Sequence, residues 1–276
     1  MILDETFNLL RRKYLTDVND LVISDARIGV FLTAVSLSDG SIGVASTGSD
    51  ALLNSYIQER DFGEFSPSKI NGQKVIDLFD NNSNLKIIDT LRVAVLNALS
   101  SQFISKNNYK IIKDTDPIDL IDLTPQKTIS IVGAFQSYIK KVAASKNKLN
   151  VLELNENALN DDQKQFYVPA DKFSEILPAS DIIIITGLTL VNNTIDDLLA
   201  TISPAAKVII TGPSSSMIPD ILFKKGVNIV GGTRINNAES LFKVVSEAGT
   251  GFHLFKYCAE KFCILNEHNI LAKNEY

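Results

Sequence analysis

The chain has 276 residues, 45% of them hydrophobic, a formal net charge of −5 and two cysteines. That is enough apolar material to bury two cores, and without a basic excess nucleic acid drops out of the expected partners. Cys258 and Cys263 give no disulfide framework and point to a reducing cytoplasm, and the longest apolar stretch, around 182–185, falls well short of the roughly 20 residues a membrane helix requires.

At the start of the chain, Leu3, Phe7, Leu10 and Tyr14 recur at helical spacing, with Arg11, Arg12 and Lys13 behind the apolar residues rather than ahead of them. This order is the reverse of a secretory leader and predicts an amphipathic helix that docks on the body of the protein. Residues 27–37 alternate, with Ile28, Val30, Leu32 and Ala34 toward one side. Ser38-Asp39-Gly40-Ser41 then offers a tight turn into 42–46, so a β-hairpin is expected. Helical spacing returns at 68–80, through Val75, Ile76 and Phe79, and at 85–104, where Leu91, Val95, Ala98 and Gln102 share a stripe. Two helices can thus cover one face of the hairpin. Periodicity lapses over 106–128, where Asp114, Asp116, Pro117, Asp119 and Pro125 fall, which divides the chain into expected domains of 1–113 and 114–276.

Beyond the junction, short apolar runs at 128–133, 150–154, 181–187, 207–212 and 228–232 alternate with helical stretches at 136–145, 194–201, 218–225 and 237–247. This pattern belongs to a parallel sheet buried on both faces and wound by crossover helices. A short edge strand at 166–168 before a helix at 171–177 makes the strand order reverse between 128–133 and 181–187. Residues 251–265 alternate again and turn near Ala259-Glu260, which predicts an antiparallel hairpin on the sheet edge. The expected fold class is α/β, a Rossmann-like doubly wound parallel sheet preceded by a smaller α+β domain.

In such sheets ligands bind beyond the carboxyl ends of the strands at the switch point, which singles out three loops. Gly133-Ala134-Phe135-Gln136 has one glycine where a dinucleotide fingerprint has three, although Glu153 follows about 20 residues later at the end of the second strand. Glu153 reads either as a solvated strand-end residue or as a ribose contact. Gly187 opens a stretch carrying Thr189, Asn192, Asn193 and Thr194 just ahead of a helix; capping explains Asn193 or Thr194 and leaves the others for a ligand. Gly212-Pro213-Ser214-Ser215-Ser216 sets three hydroxyls before another helix, an arrangement suited to an oxygen-rich or anionic ligand. The only histidines, His253 and His268, lie far from these serines, which argues against a Ser-His-Asp hydrolase. Cys258 and Cys263 are five apart with His253 five upstream, a spacing that matches no common zinc motif. On a hairpin the two thiols could face one another, or each could be an ordinary core residue. Metal chemistry here would use oxygen ligands or act on a metal already held by a small molecule.

The run Leu91-Arg92-Val93-Ala94-Val95-Leu96-Asn97-Ala98, together with Leu177-Pro178-Ala179-Ser180-Asp181, residues 189–194 and Gly212-Pro213-Ser214-Ser215, resembles the family described as heavy-metal chelation proteins, the domain-of-unknown-function families 364 and 4213. The likeness covers nearly the whole chain. It implies an enolase N-terminal-like domain ahead of the Rossmann-like one, a site where the two meet, and a role in handling heavy metals or their chelates. By that resemblance Asn97 serves the site from the helical domain, and Thr189, Asn192, Thr194, Gly212, Pro213 and Ser214 serve it from the Rossmann side. The chain departs from the family pattern at Arg92, where a glycine is expected, and at Ser101, where an asparagine is expected. Asn97 also has a plain reading, as a buried amide that ties a loop backbone in place, and Arg92 reads either as a solvated residue or as an added cation.

The expected function is therefore binding, with processing left open, of a small oxygen-rich ligand or heavy-metal chelate in an interdomain cleft. The ligand-binding residues would be Asn97, Gly133, Phe135, Gly187, Thr189, Asn192, Thr194, Gly212, Pro213, Ser214 and Ser215. The cofactor is unassigned beyond a heavy metal or its chelate, and the partners are that ligand and, for assembly, a second copy in a homodimer. The alternative is a nucleotide- or S-adenosylmethionine-dependent enzyme that uses 133–137 and Glu153.

Overall fold

A computed structural model describes residues 1–14, 18–48, 62–81, 85–105, 109–124 and 126–266; Pro125 and His268 lie outside the described residues. Two sheets organise the chain. The smaller is an antiparallel meander of β1 (Ile23–Ile28), β2 (Leu32–Leu37) and β3 (Ile42–Ser46). The larger has eight strands in the order β4-β11-β10-β9-β8-β5-β6-β7. These are β4 (Ile111–Lys113), β5 (Thr128–Val132), β6 (Lys148–Glu153), β7 (Tyr167–Pro169), β8 (Ile182–Thr186), β9 (Lys207–Thr211), β10 (Ile229–Ile235) and β11 (Ala259–Leu265). Strands β5 to β10 pair in parallel, and the chain runs outward from β5 first to β6 and β7, then to β8, β9 and β10. The reversal between β5 and β8 is the expected switch point.

Three expectations are corrected. Residues 27–37 are not one strand, because the chain turns at Gly29 to Phe31, where the Gly29 N–H donates to Leu32 O, and a third strand, β1, precedes the turn. A side chain at Gly29 would meet Val245 O at 2.3 Å, so the turn sits tight against the helix Ala238–Ser246. Residues 68–80 are helical only over Val75–Asp80. The 251–265 segment is not a hairpin: a Thr250/His253 capping box starts the helix Gly251–Tyr257, and β11 pairs antiparallel with β10 and with the edge strand β4. Leu254 and Cys258, four apart, bury the face of that helix that the alternation had suggested for a strand.

The meander lies between helices from both parts of the chain. Val35, Leu37 and Ala45 face the long helix Lys86–Ser105, while Leu32, Ala34 and Val44 face Leu241, Val245 and Leu254 from the end of the chain. This period of two gives the small sheet one apolar face for each part. Gly43 lets β3 approach the long helix closely, since an added Cβ would lie 2.0 Å from Ala94 O and 2.4 Å from Ala98 N. The first helix, Ile2–Lys13, docks as expected: Phe7 stacks on Phe79 at 3.7 Å, the Ile2 N–H donates to Asp196, and Lys13 pairs with Asp220 at 2.8 Å. One continuous cluster of buried side chains runs from this helix through the long helix to β8, β9 and β10. β4, which precedes the expected 113/114 boundary, already belongs to the larger sheet. Among the described residues one helix, Lys86–Ile104, is apolar and long enough to cross a membrane, and it is the buried central helix of this core.

Candidate functional site

The loop after β9 is the point where the two parts lock together. Gly212 takes φ of +127°, open to glycine and strained for other residues, and Pro213–Ser215 forms a single 3-10 turn. The Ser46 N–H, from β3, donates to Ser214 Oγ at 2.8 Å. Ser215 Oγ lies 2.8 Å from Gly212 O and 2.7 Å from Gly231 O. Ser216 Oγ donates to Pro213 O and accepts the Thr233 N–H at 2.9 Å. Asn97, on the long helix and 2% exposed, donates through Nδ2 to Val44 O at 2.7 Å, Pro213 O at 3.2 Å and Ser214 O at 3.3 Å. The plain reading of Asn97 thus accounts for its nitrogen. Its oxygen, Oδ1, is buried without a hydrogen-bond partner among the described residues, and so is Thr233 Oγ1.

Asn97 and Thr233 both line a cleft of about 480 Å³ between the two parts. Asp39, Ser41, Ser101, Gln102, Ser216 and Arg234 add polar groups to its walls. Asp39 is held by Tyr14 Oη–H at 2.9 Å, Gln102 Nε2 at 2.9 Å and the Ser41 N–H at 2.9 Å. Burial, with Asp39 beside it, pushes the Tyr14 phenol above its ordinary range and keeps it a donor. Arg234 pairs with Glu260 at 3.2 Å and lies over the Phe262 ring.

The remaining predicted residues do not converge on this cleft. Gly133, Thr189, Asn192 and Thr194 line a separate slot of about 280 Å³ beyond β5, β6 and β8. Phe135, Gly212 and Pro213 line a third hollow of about 660 Å³, which shares Thr233 and Phe262 with the cleft. Gly187, Ser214 and Ser215 pack on one another, a Cβ at Gly187 falling 3.0 Å from Ser215 N. Ser216 belongs to the hydroxyl-rich loop read from the sequence, whereas Thr233 and Arg234 were missed; their signal was the polar residues directly after Gly231-Gly232, where the apolar run of β10 ends.

Arg92 is neither solvated nor in the cleft: it donates to Leu78 O and Asn81 O and pairs with Asp89 at 2.9 Å, binding the long helix to the segment before it. Ser101 lines the cleft and donates to Ala98 O in its own helix. The cysteines belong to different cores, Cys258 donating to Leu254 O and Cys263 to Thr115 O. Burial raises both thiols, Cys263 up to about 12, and His253 Nδ1 accepts the Thr250 N–H. Among the described residues no group of three or more His, Cys, Asp or Glu is placed to hold a metal ion. The cleft's donors are one carboxylate and neutral oxygens, a set that does not fit a bare soft heavy-metal ion.

A Rossmann-like domain joined to a smaller antiparallel-sheet part, with a cleft along the joint, defines the class. The model of family 364, described as "Putative heavy-metal chelation", matches residues 116–264, and that of family 4213, with the same description, matches 11–100. The chain belongs to this family. It is 26% identical over 231 residues, 80% of each chain, to an uncharacterized protein of Methanocaldococcus jannaschii. It is similar in structure to a family 364 protein of unknown function from Pyrococcus horikoshii, with a TM-score of 0.77 and 22% identity, covering 96% of this chain and 100% of that one. A family 364 protein of unknown function from Desulfitobacterium hafniense gives a TM-score of 0.72 and 15% identity, covering 96% and 98%.

Proposed function

We propose that the chain binds a small oxygen-rich ligand, free or as its heavy-metal chelate, in the cleft between its two parts. The observation that carries this reading is the pair of unpartnered buried oxygens, Asn97 Oδ1 from the helical part and Thr233 Oγ1 from β10, on residues of one cleft. An unsatisfied buried polar atom costs about 1–3 kcal/mol, and a ligand drawn into the cleft that both residues line would give the two oxygens the partners they lack. Asn97 Oδ1 can only accept, so the ligand must donate to it, and Arg234 is the cation in the lining. A hydroxycarboxylate has both a hydroxyl donor and an anionic end. The metal arrives as cargo inside such a ligand, because the lining offers no thiolate or imidazole among the described residues. No histidine, cysteine, lysine or tyrosine lines the cleft among the described residues, which favours binding over covalent chemistry. The free, separately buried cysteines support a cytoplasmic setting.

Calorimetric titration with citrate, nickel citrate and nickel chloride tests the proposal, using the wild type and Thr233→Val. Citrate or its chelate binds, the bare ion does not, and the variant loses about tenfold in affinity. Removal of an orphaned hydroxyl also stabilises the variant, by about 1 kcal/mol in denaturant titration. Equal affinity in both proteins, tighter binding of bare nickel, or no heat from citrate and its chelate at about 1 mM rejects the reading.

A further inference from the structure

The slot beyond β5, β6 and β8 lies apart from the cleft and has a different chemistry. Three carboxylates line it, Glu153, Asp171 and Asp197, and among the described residues no lysine or arginine does, although Lys86 Nζ donates to the backbone oxygen of one lining residue, Asn192 O, at 3.3 Å. Leu154, Phe173, Leu188 and Leu198 make apolar walls. Leu154 is 74% exposed, an apolar side chain left at the mouth of a cavity. Glu153 ends β6, and its Oε1 accepts the Leu154 N–H at 2.7 Å and the Asn155 N–H at 3.4 Å, which orients the carboxylate and leaves Oε2 to a ligand. Gly133, which follows β5, takes φ of +105° against Thr186, so its bare backbone forms part of the wall.

We propose that this slot binds a purine nucleoside that carries no phosphate, with the ribose diol on Glu153 and the base against Leu154 and Phe173. A carboxylate at the end of the second strand of a Rossmann-like unit is where a ribose diol is held. Phosphates are a different matter. A pyrophosphate needs cations or a run of glycines at the first turn, and here the turn continues into Ala134 and Phe135, with Phe135 stacked on Tyr138. Three acids beside the ligand repel a phosphate and favour a neutral or cationic nucleoside, a sulfonium nucleoside having the best charge match.

Titration calorimetry of the full chain with adenosine, S-adenosylmethionine, ATP and NAD tests this. Adenosine and S-adenosylmethionine bind at least about tenfold more tightly than ATP or NAD. Glu153→Gln, at a partly exposed position with little risk to the fold, weakens adenosine by about tenfold, and Leu154→Ala weakens it less. Thr233→Val, which alters the cleft, leaves adenosine binding unchanged, so failure of the cleft reading and failure of this one are told apart. Tighter binding of ATP or NAD, unchanged affinity in Glu153→Gln, or no adenosine binding at about 5 mM overturns the proposal.

Discussion

The loops 212–216 and 187–194 look alike as sequence, each a glycine followed by hydroxyl and amide residues ahead of a helix, yet the structure uses them in opposite ways. In the first, Ser214 and Ser215 are fully buried, and their hydroxyls are committed to Ser46, Gly212 and Gly231. In the second, Thr189 turns back to Thr186 O, while Asn192 is half-buried and Thr194 exposed at the rim of the slot. A hydroxyl-rich loop at a strand end therefore marks either a joint or a rim, and the decisive variable is whether another part of the chain covers it. Here the long helix and β3 cover the first loop, whereas the long helix holds the second through Lys86 to Asn192 O and Asp89 to Asn193 and leaves Thr194 exposed.

The comparison can be broken most severely at the joint. Gly43→Ala forces a methyl into the backbone of the long helix, and a loss of about 3 kcal/mol or more is expected in urea denaturation, with β3 pushed off the helix. Ser214→Ala leaves the Ser46 N–H without its acceptor and costs about 1–2 kcal/mol by the same measurement. A control outside both loops is Cys263. Its thiol is held above the ordinary 9.0, up to about 12, chiefly by burial. Above pH 9 the unfolded chain releases this proton while the folded chain keeps it, so stability is full below pH 9 and falls as pH rises toward 12, by about 1 kcal/mol at pH 10. Cys263→Ala removes that part of the slope, as denaturant titrations at pH 8 and pH 10 will show. At the open loop, Thr194→Val changes stability by less than about 0.5 kcal/mol, because the Thr194 side chain makes no capping bond. A cost there equal to that of Ser214→Ala would erase the distinction between the loops.

Most of the larger sheet was legible because buried parallel strands write themselves as unbroken runs such as Ile182 to Ile185, with helices between them at regular spacing. The elements that escaped are those whose reason lies elsewhere in the chain. β4 exists because β11 offers it an edge, and the 29–31 turn because the helix Ala238–Ser246 lies beneath Gly29. The segment 251–257 alternates like a strand, and only the Thr250/His253 cap, a three-residue relation, decides for helix. For the candidate site, Asn97 was legible as a lone amide on an apolar helix, and the structure brings it to the Gly212 loop as expected. That the hydroxyl left without a partner beside it is that of Thr233, while those of Ser214, Ser215 and Ser216 are bonded, depends on which hydroxyls the fold consumes, and no local pattern records that.

The shared core has a consequence for how anything enters the cleft. Because one apolar cluster continues from the first helix into β8, β9 and β10, swinging the two halves apart like a clamshell would expose it to water. A ligand of the proposed kind would therefore enter with the two halves still packed together, and heating should melt the chain in one cooperative transition rather than two.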